Sequence, residues 1–145
     1  MKYLLDASAL LPLVARGGKQ LISETTREDL ATTDLAIHEA CNSLWKLSTL
    51  LRSISIEDAV DTATIIKDLT IRGVIKPIKF TRLDFSNTLR IAHEEGLTFY
   101  DASYITTARN AEGTLVTEDE KLKKAASKFV KTITYSNLEC KLAKS

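Results

Sequence analysis

The chain has 145 residues, of which 44% are hydrophobic and 27% charged, proportions that are typical of a globular domain and exclude a disordered chain. Its 20 basic and 19 acidic side chains leave a formal charge of +1, which excludes a strongly basic coat for nucleic acid. Two cysteines are too few for a disulfide framework, so we expect a reducing, cytoplasmic environment. The apolar run that ends at Asp6 is too short for a signal peptide or a membrane span.

The first third of the chain is predicted to alternate short strands with helices. The elements are a buried strand at 2–6, a helical turn at 7–11, a helix at 18–26, a weak strand at 31–33 and a helix at 35–51. Gly17 and Gly18 are expected to separate the first two helical segments, because glycine is a poor helix former. Asp34 is the predicted N-cap of the helix at 35–51.

The same alternation continues to the end of the chain. The predicted elements are a helix at 56–72, a strand at 76–80, helices at 84–95 and 99–110, a strand at 114–117, a helix at 119–127, a strand at 129–132 and a tail helix at 136–143. Five short strands among helices predict an α/β fold with a mostly parallel five-stranded sheet and helices on both faces. No linker or repeat divides the chain, so we expect one domain over residues 1–145.

Four acidic residues fall at one edge of this predicted sheet. Asp6 ends the first strand, and Glu39 lies in the second turn of the helix that leaves the second strand. Asp101 opens the helix that leads to the fourth strand, and Asp119 follows that strand. Because the carboxyl ends of parallel strands share one edge, we expect the four side chains to converge there. Their mutual repulsion would favour a bound cation, and oxygen ligands without histidine or cysteine favour Mg²⁺ or Mn²⁺.

Each of these carboxylates also has an ordinary structural explanation. A single aspartate at a strand end is usually a turn or cap residue, and a single glutamate on a helix is usually solvated. Asp101 fits a capping box with Thr98, and Asp119 fits an N-cap of the helix at 119–127. None of these explanations predicts a shared edge, so the four residues together favour metal-assisted hydrolysis of phosphodiester bonds.

Three segments resemble the PIN domain, and most of all the small VapC-type ribonuclease toxins of prokaryotic toxin–antitoxin pairs. They are LLDAS (4–8), TFYDASYITTA (98–108) and LVTEDEKL (115–122), with Glu39 on a helix between the first two. The resemblance covers nearly the whole chain and implies a single PIN-like domain with a three-layer fold. It also implies a Mg²⁺- or Mn²⁺-dependent endoribonuclease that acts on single-stranded or looped RNA. The catalytic and metal-binding residues would be Asp6, Glu39, Asp101 and Asp119.

The resemblance extends to residues around these carboxylates. Ser8 and Thr117 match hydroxyl residues that could orient a carboxylate or a bound water. Many relatives carry a further acid two residues after the last aspartate, where this chain has Lys121. This departure leaves open whether a second metal binds, or whether Glu118 or Glu120 takes over that position.

RNA and protein partners are expected near the acidic edge. The candidate cations for RNA phosphates are Arg16, Lys19, Lys46, Arg82, Lys121, Lys123 and Lys124. Phe99 and Tyr100 would either stack on bases or anchor the start of their helix in the core. The resemblance implies a homodimer and an antitoxin whose tail enters a groove near the carboxylates. The helices at 35–51 and 56–72 are the candidates for that groove, unless Trp45 packs in the core of the monomer.

Other functional classes fit the sequence less well. A dinucleotide-binding G-x-G-x-x-G motif and a P-loop are both missing from the sequence. A receiver-like module would need an aspartate at the end of the third strand, where Phe80 and Thr81 stand. His38 and His93 fit no catalytic triad. The remaining alternative to a nuclease is a catalytically weak PIN-like module that binds RNA or protein.

Overall fold

The strand β1 (Lys2–Leu5) lies at the centre of a five-stranded sheet, and its residues Tyr3, Leu4 and Leu5 are all buried. Burial on both faces is typical of a central parallel strand. The structure is a computed structural model that describes residues 2–23 and 29–143, with residues 18–23 described by their backbone alone. The other strands are β2 (Asp29–Thr33), β3 (Ile75–Ile78), β4 (Thr114–Val116) and β5 (Thr132–Ile133).

The five strands have the order β3-β2-β1-β4-β5, and each described pair of neighbours is parallel. The chain leaves β1 towards β2 on one side and later returns to β4 on the other side. The order therefore reverses at β1, and in open α/β sheets the functional crevice lies outside the carboxyl ends of the strands at such a point. Asp6 is the first residue after β1 and stands at this position.

Helices form the two outer layers of the fold. They are α1 (Ala7–Ser23), α2 (Asp34–Trp45), α3 (Ile56–Ile71), α4 (Phe85–Glu95), α5 (Phe99–Asn110), α6 (Glu120–Ala126) and α7 (Tyr135–Ala143). A π-helical turn (Lys46–Leu50) continues α2, and a 3-10 turn (Phe80–Arg82) precedes α4. Helix α1 packs against α2, α3 and α7, whereas α4 packs against α5, which lies on β1 and β4. Within the described residues, no helix is long and apolar enough to cross a membrane.

The α/β class, the five strands and their parallel arrangement confirm the predicted fold. The predicted break at Gly17 and Gly18 is wrong, because α1 continues through both glycines to Ser23. Each glycine costs a helix about 1 kcal/mol relative to alanine, and contacts of α1 with three other helices outweigh that cost. Residues 24–26 of the predicted second helix lie outside the described residues.

The N-terminus of α2 differs from the prediction by one residue. Thr33, rather than Asp34, is the N-cap: it has an extended backbone and its side chain accepts a hydrogen bond from the N–H of Ala36 at 3.0 Å. Asp34 is instead the first helical residue, and its carboxylate accepts a hydrogen bond from the N–H of Phe80 at 3.1 Å. This bond joins the start of α2 to the 3-10 turn after β3.

The last strand was predicted about three residues too early. The N–H groups of Phe129 and Val130 both donate to the carbonyl of Ala126 at 2.9 Å, so these residues close α6 rather than extend a strand. Both side chains are partly buried against the core, which explains their apolar character. The strand β5 therefore begins only at Thr132.

Candidate active site

Asp6 is a buried carboxylate, with 4% of its surface exposed, at the carboxyl end of β1. Its Oδ1 accepts hydrogen bonds from the Ser8 hydroxyl at 2.6 Å and the N–H of Ala9 at 3.0 Å, and its Oδ2 accepts one from the Thr117 hydroxyl. Burial raises the pKa of Asp6 above its ordinary value, although these three bonds favour the charged form and oppose the rise. The bonds also hold the carboxylate in one orientation.

The hydroxyls of Ser8 and Thr117 connect Asp6 to the loop between β4 and α6. Ser8 Oγ accepts a hydrogen bond from the N–H of Glu118 at 2.9 Å, and Thr117 Oγ1 accepts one from the N–H of Asp119 at 3.1 Å. The two hydroxyl oxygens lie 3.4 Å apart. Each hydroxyl thus donates to Asp6 and accepts from the loop, which links the position of Asp6 to that of Asp119.

Asp119 and Asp101 each have a local role at a helix start. Asp119 is the N-cap of α6, and its Oδ1 accepts a hydrogen bond from the N–H of Leu122 at 3.1 Å. Asp101 lies in the first turn of α5, and its N–H donates to the Thr98 hydroxyl at 3.1 Å. Burial and then the negative charge of Asp119 raise the pKa of Asp101, and the same charge contributes to the raised pKa of Asp6. The capping roles therefore coexist with electrostatic coupling among three carboxylates.

Glu39 lies partly buried in the second turn of α2, where Tyr104 of α5 contacts it. The Tyr104 hydroxyl donates a hydrogen bond to Glu39 Oε1. Burial and then this bond raise the pKa of Tyr104, so its hydroxyl stays protonated at neutral pH. Tyr104 was not predicted as a site residue, although its position three residues after Asp101 places both residues on one side of α5.

The four predicted carboxylates line one cleft of about 550 Å³. Its polar lining consists of Asp6, Ser8, His38, Glu39, Asn42, Ser43, Asp101, Tyr104 and Asp119. Among the described residues, none of the four carboxylates forms an ion pair with a lysine, arginine or histidine. The acidic side chains of the cleft are therefore not neutralised by direct ion pairs with described cations.

The donor chemistry of this cleft suits a hard divalent cation, because its charged donors are all carboxylate oxygens. In the described part of the chain, no group of three or more histidine, cysteine, aspartate and glutamate side chains is placed to hold a metal ion as it stands. Mg²⁺ usually keeps several waters and is bound through one or two carboxylates. The residues thus fit a mostly hydrated ion held by a pair of carboxylates, and not a site closed by protein ligands.

Two of the predicted RNA-contacting cations interact with other side chains of the protein. The positive charge of Lys121 lowers the pKa of Asp101 and so partly opposes the effect of Asp119. The guanidinium of Arg16 lies 5.5 Å from the ring centroid of Tyr135 on α7. None of the described RNA-contacting candidates is among the residues that line the cleft.

The remaining candidates either do not line the cleft or have side chains outside the described residues. Lys46 is exposed at the start of the π-helical turn, and Lys124 is exposed on α6 beside the partly buried Lys123. Arg82 lines a different cavity. The side chain of Lys19 lies outside the described residues.

Phe99, Tyr100 and Trp45 were each predicted to lie either in the core or at a binding surface, and all three are at the surface. Phe99 is 36% exposed and Tyr100 is 61% exposed, so neither anchors α5 in the core. Phe99 packs edge to face against Phe85, with ring centroids 6.2 Å apart. Trp45 is 50% exposed, which excludes a place in the core of the monomer.

Glu118 is committed to a structural hydrogen bond. Its Oε1 accepts a hydrogen bond at 2.6 Å from the N–H of Tyr135, the first residue of α7. Glu120 is exposed in the first turn of α6. Of the two acids that could replace the one missing at Lys121, Glu118 is therefore the less available.

The chain is similar in sequence and structure to known proteins. Residues 3–128 match the family model of the PIN domain. The chain is 41% identical over 123 residues to Exonuclease VapC9 of Pyrobaculum aerophilum, which covers 84% of each protein. It is 29% identical over 140 residues to Ribonuclease VapC3 of the same organism, covering 92% of this chain and 99% of the relative. The crystal structure of PAE2754 from Pyrobaculum aerophilum aligns with a TM-score of 0.76 and 35% identity, covering 100% of this chain and 91% of the other.

The family model spans all four carboxylates that line the cleft, from Asp6 after β1 to Asp119 before α6. Since it matches residues 3–128 of a 145-residue chain, most of the sequence is accounted for by one family. The chain belongs to the PIN domain family.

Proposed function

We propose that this protein is a cytoplasmic, Mg²⁺- or Mn²⁺-dependent endoribonuclease and the toxin of a type II toxin–antitoxin pair. The observation that carries the proposal is the cleft, where carboxylates from four separate parts of the chain meet without a cationic partner among the described residues. Membership of the PIN domain family supports nuclease chemistry. The names of two relatives, an exonuclease and a ribonuclease, support it further and favour RNA as the substrate.

In this mechanism the carboxylates of Asp6, Asp101 and Asp119 would hold the mostly hydrated ion, a pair of them directly, with Glu39 beside it. When bound, Mg²⁺ or Mn²⁺ would stabilise the charge that develops on the phosphate and activate a water molecule. Asp6 contributes a carboxylate whose orientation is already fixed by three hydrogen bonds, so little reorganisation is needed during the reaction. Burial and the charge of Asp119 keep the cleft electrostatically unfavourable until a cation enters.

Glu39 positions the attacking water and accepts its proton. Its Oε1 is held by the Tyr104 hydroxyl, which fixes the carboxylate at the cleft. The water oxygen forms a bond to phosphorus while the bond from phosphorus to the 3′-oxygen breaks in line. Solvent protonates the 3′-oxygen, and the products are a 5′-phosphate and a 3′-hydroxyl.

A second candidate function is RNA or protein binding without turnover. It is favoured by Lys121, which stands where the family resemblance implies an acid, and by the lack of a three-ligand metal group in the described residues. Such a protein would still bind RNA at the cleft but would cleave no faster than its carboxylate variants.

The decisive experiment is cleavage of a fluorogenic single-stranded RNA in Mg²⁺, Mn²⁺ or EDTA. We expect cleavage only with a metal and a loss of about a hundredfold or more in Asp6→Asn and Asp101→Asn. Asp61→Asn is the matched control, because Asp61 is exposed on α3 away from the cleft lining. Activity in EDTA, or full activity of both cleft variants, would contradict the mechanism.

A circular single-stranded RNA separates the two modes of cleavage. An endonuclease linearises a substrate without ends, whereas an exonuclease cannot begin on it. We expect linear product, although one relative is named an exonuclease. An intact circle alongside degradation of the linear form would replace the endonuclease with an exonuclease.

We further propose that an antitoxin segment docks on an exposed apolar surface beside the cleft. The candidate residues of this apolar surface are Trp45, Leu50, Leu51, Ile56 and Val60, each at least half exposed. It continues from α2, the helix that carries the cleft residues Glu39, Asn42 and Ser43. Large apolar patches on a protein surface usually mark interaction sites.

Co-purification with the product of a neighbouring short reading frame tests this surface. We expect Trp45→Ser to lose the partner and Phe85→Ser, an exposed aromatic on α4, to retain it. Retention by both variants would place the antitoxin elsewhere. Light scattering on the isolated chain tests the proposed homodimer, and a monomeric mass at high concentration would overturn that part of the proposal.

A further inference from the structure

A second cavity, of about 370 Å³, shares no lining residue with the carboxylate cleft. Its charged lining is entirely basic: Lys2 at the start of β1, Lys76 in β3 and Arg82 at the end of the 3-10 turn. None of the three pairs with a carboxylate of the described residues, including Asp29, which lies opposite Lys2 in the β1–β2 register. In a chain with a net charge of only +1, these unpaired cations form a local anion-attracting site.

This cavity continues into a smaller one that presents an exposed aromatic ring. The two cavities share Ile78 and Thr107, and the smaller is also lined by Lys79 and Phe80. Phe80 is 64% exposed, and its N–H donates to the carboxylate of Asp34, which holds the 3-10 turn in place. We call the continuous surface formed by Lys2, Lys76, Lys79, Phe80 and Arg82 the basic groove.

Helix α5 connects the basic groove to the carboxylate cleft. Tyr104 lines the cleft, and Thr107, one turn later, lines the basic groove, followed by Asn110. The nine residue-to-residue rises from Asp101 to Asn110 span about 14 Å along the helix axis. A nucleic acid strand that occupies the cleft can therefore reach the basic groove within a few nucleotides.

We propose that the basic groove binds backbone phosphates of the single-stranded RNA substrate outside the cleft, with one base stacked on Phe80. The identity of the polyanion as RNA rests on the proposed function. The acidic cleft repels phosphates, so the affinity for a polyanionic strand must come from cations elsewhere. Cations that follow a backbone beside an exposed aromatic ring are the combination that binds single-stranded nucleic acid, whereas an acidic peptide has no base to stack.

Binding in EDTA tests the groove independently of catalysis. The measurement is fluorescence anisotropy of a labelled single-stranded RNA, titrated at several salt concentrations. The double variant Lys76→Gln/Arg82→Gln is expected to bind about tenfold more weakly and to lower the slope of log Kd against log salt by about 1.4, since each phosphate contact on a single strand contributes about 0.7. Unchanged affinity and slope would overturn the proposal.

The matched control is Lys67→Gln/Lys141→Gln, which removes two exposed cations from α3 and α7. The control changes the net charge by the same amount as the groove variant. If binding is specific to the basic groove, the control should bind RNA with wild-type affinity. An equal loss of affinity in both double variants would reduce the effect to net charge and overturn the assignment.

Phe80→Ala separates stacking from charge. We expect about fivefold weaker RNA binding or more, with the salt slope unchanged, because stacking releases no counterions. An unchanged affinity would remove Phe80 from the proposal.

Competition with the labelled RNA tests which kind of anion the basic groove binds. Excess single-stranded RNA should displace the probe, whereas inorganic phosphate and polyglutamate at the same concentration of charge should not. Full displacement by inorganic phosphate would make the groove a free-phosphate site. Full displacement by polyglutamate, lost in the Lys76→Gln/Arg82→Gln variant, would assign it to an acidic protein segment. Either result would overturn the RNA assignment.

Cleavage kinetics distinguish failure of the groove from failure of the proposed function. On a long RNA the groove variant should raise KM with kcat unchanged, and on a substrate too short to leave the cleft it should match the wild type. A wild type that binds RNA through the groove in EDTA but never cleaves with metal would refute the nuclease and leave the groove intact.

Discussion

Tyr104 donates its hydroxyl hydrogen bond to Glu39, a residue 65 positions earlier in the chain. The bond joins α5 to α2 across the mouth of the cleft that both residues line. Because burial keeps Tyr104 protonated, the donor is present at every pH at which the protein would act. The Tyr104 hydroxyl therefore helps to orient the Glu39 carboxylate in the cleft.

Tyr104→Phe removes this donor and keeps the ring in place. Loss of a partner that orients a catalytic carboxylate typically costs about 10–100-fold in activity or metal affinity, and we expect a fall of that size in kcat. Steady-state kinetics with Mg²⁺ titration measures it. The matched control is Tyr135→Phe, which removes a similar hydroxyl bond to Glu139 on α7, away from the cleft. Equal kcat in Tyr104→Phe and the wild type would show that Glu39 needs no such support.

The shared edge of the carboxylates could be predicted from sequence because it follows from topology. In a parallel sheet, residues directly after β1 and β4 must meet at the same side, whatever the details of packing. The Tyr104–Glu39 bond could not be predicted, because it depends on the relative rotation of α2 and α5. That rotation is set by core packing between elements that are far apart in sequence. Local sequence patterns carry no information about such packing.

The burial of Asp6 predicts a trade-off between function and stability. Its raised pKa means that the folded state binds the proton more tightly than the unfolded state, so stability is lost as pH rises from the unfolded pKa through the folded one. The full penalty is present above the folded-state pKa. Asp6→Asn removes the charge, and its amide can still accept from Ser8 and Ala9, so we expect a Tm about 2–4 °C higher at neutral pH.

Thermal unfolding at several pH values measures this trade-off. The difference in Tm between Asp6→Asn and the wild type should shrink as the pH falls below the unfolded pKa, where the carboxyl is neutral in both states. Mg²⁺ should raise the Tm of the wild type more than that of the variant. A variant that is less stable than the wild type at neutral pH would show that the hydrogen bonds outweigh burial.

Lys121 is expected to influence the acid limb of the proposed activity through Asp101. Its positive charge lowers the pKa of Asp101, against the effects of burial and of Asp119. Removing that charge in Lys121→Gln raises the pKa further, so the carboxylate is protonated at a higher pH. We therefore expect the acid limb of the kcat/KM profile to move to higher pH. Lys124→Gln, an exposed neighbour on α6, should leave the profile unchanged, and an unmoved limb in Lys121→Gln would contradict the coupling.

Helix boundaries were predictable only where local chemistry decided them. The stop at Gly96, where φ is 65°, follows from the preference of glycine for the left-handed region. The continuation of α1 through Gly17 and Gly18 could not be predicted from local preferences. Contacts of α1 with α2, α3 and α7 supply the stabilisation that the glycines do not. Phe129 and Val130 likewise have the composition of a strand but close α6.

The bond from Tyr135 to Glu118 predicts that Glu118 stabilises the fold and binds no second metal. Its carboxylate satisfies the N–H at the start of α7, as a capping side chain does. Glu118→Ala is expected to cost about 1 kcal/mol of stability, with kcat and the Mg²⁺ concentration for half-maximal activity unchanged. Glu120→Ala, at the exposed first residue of α6, should leave Tm unchanged. A higher Mg²⁺ requirement in Glu118→Ala, beyond the effect of unfolding, would instead make Glu118 the acid that replaces the one missing at Lys121.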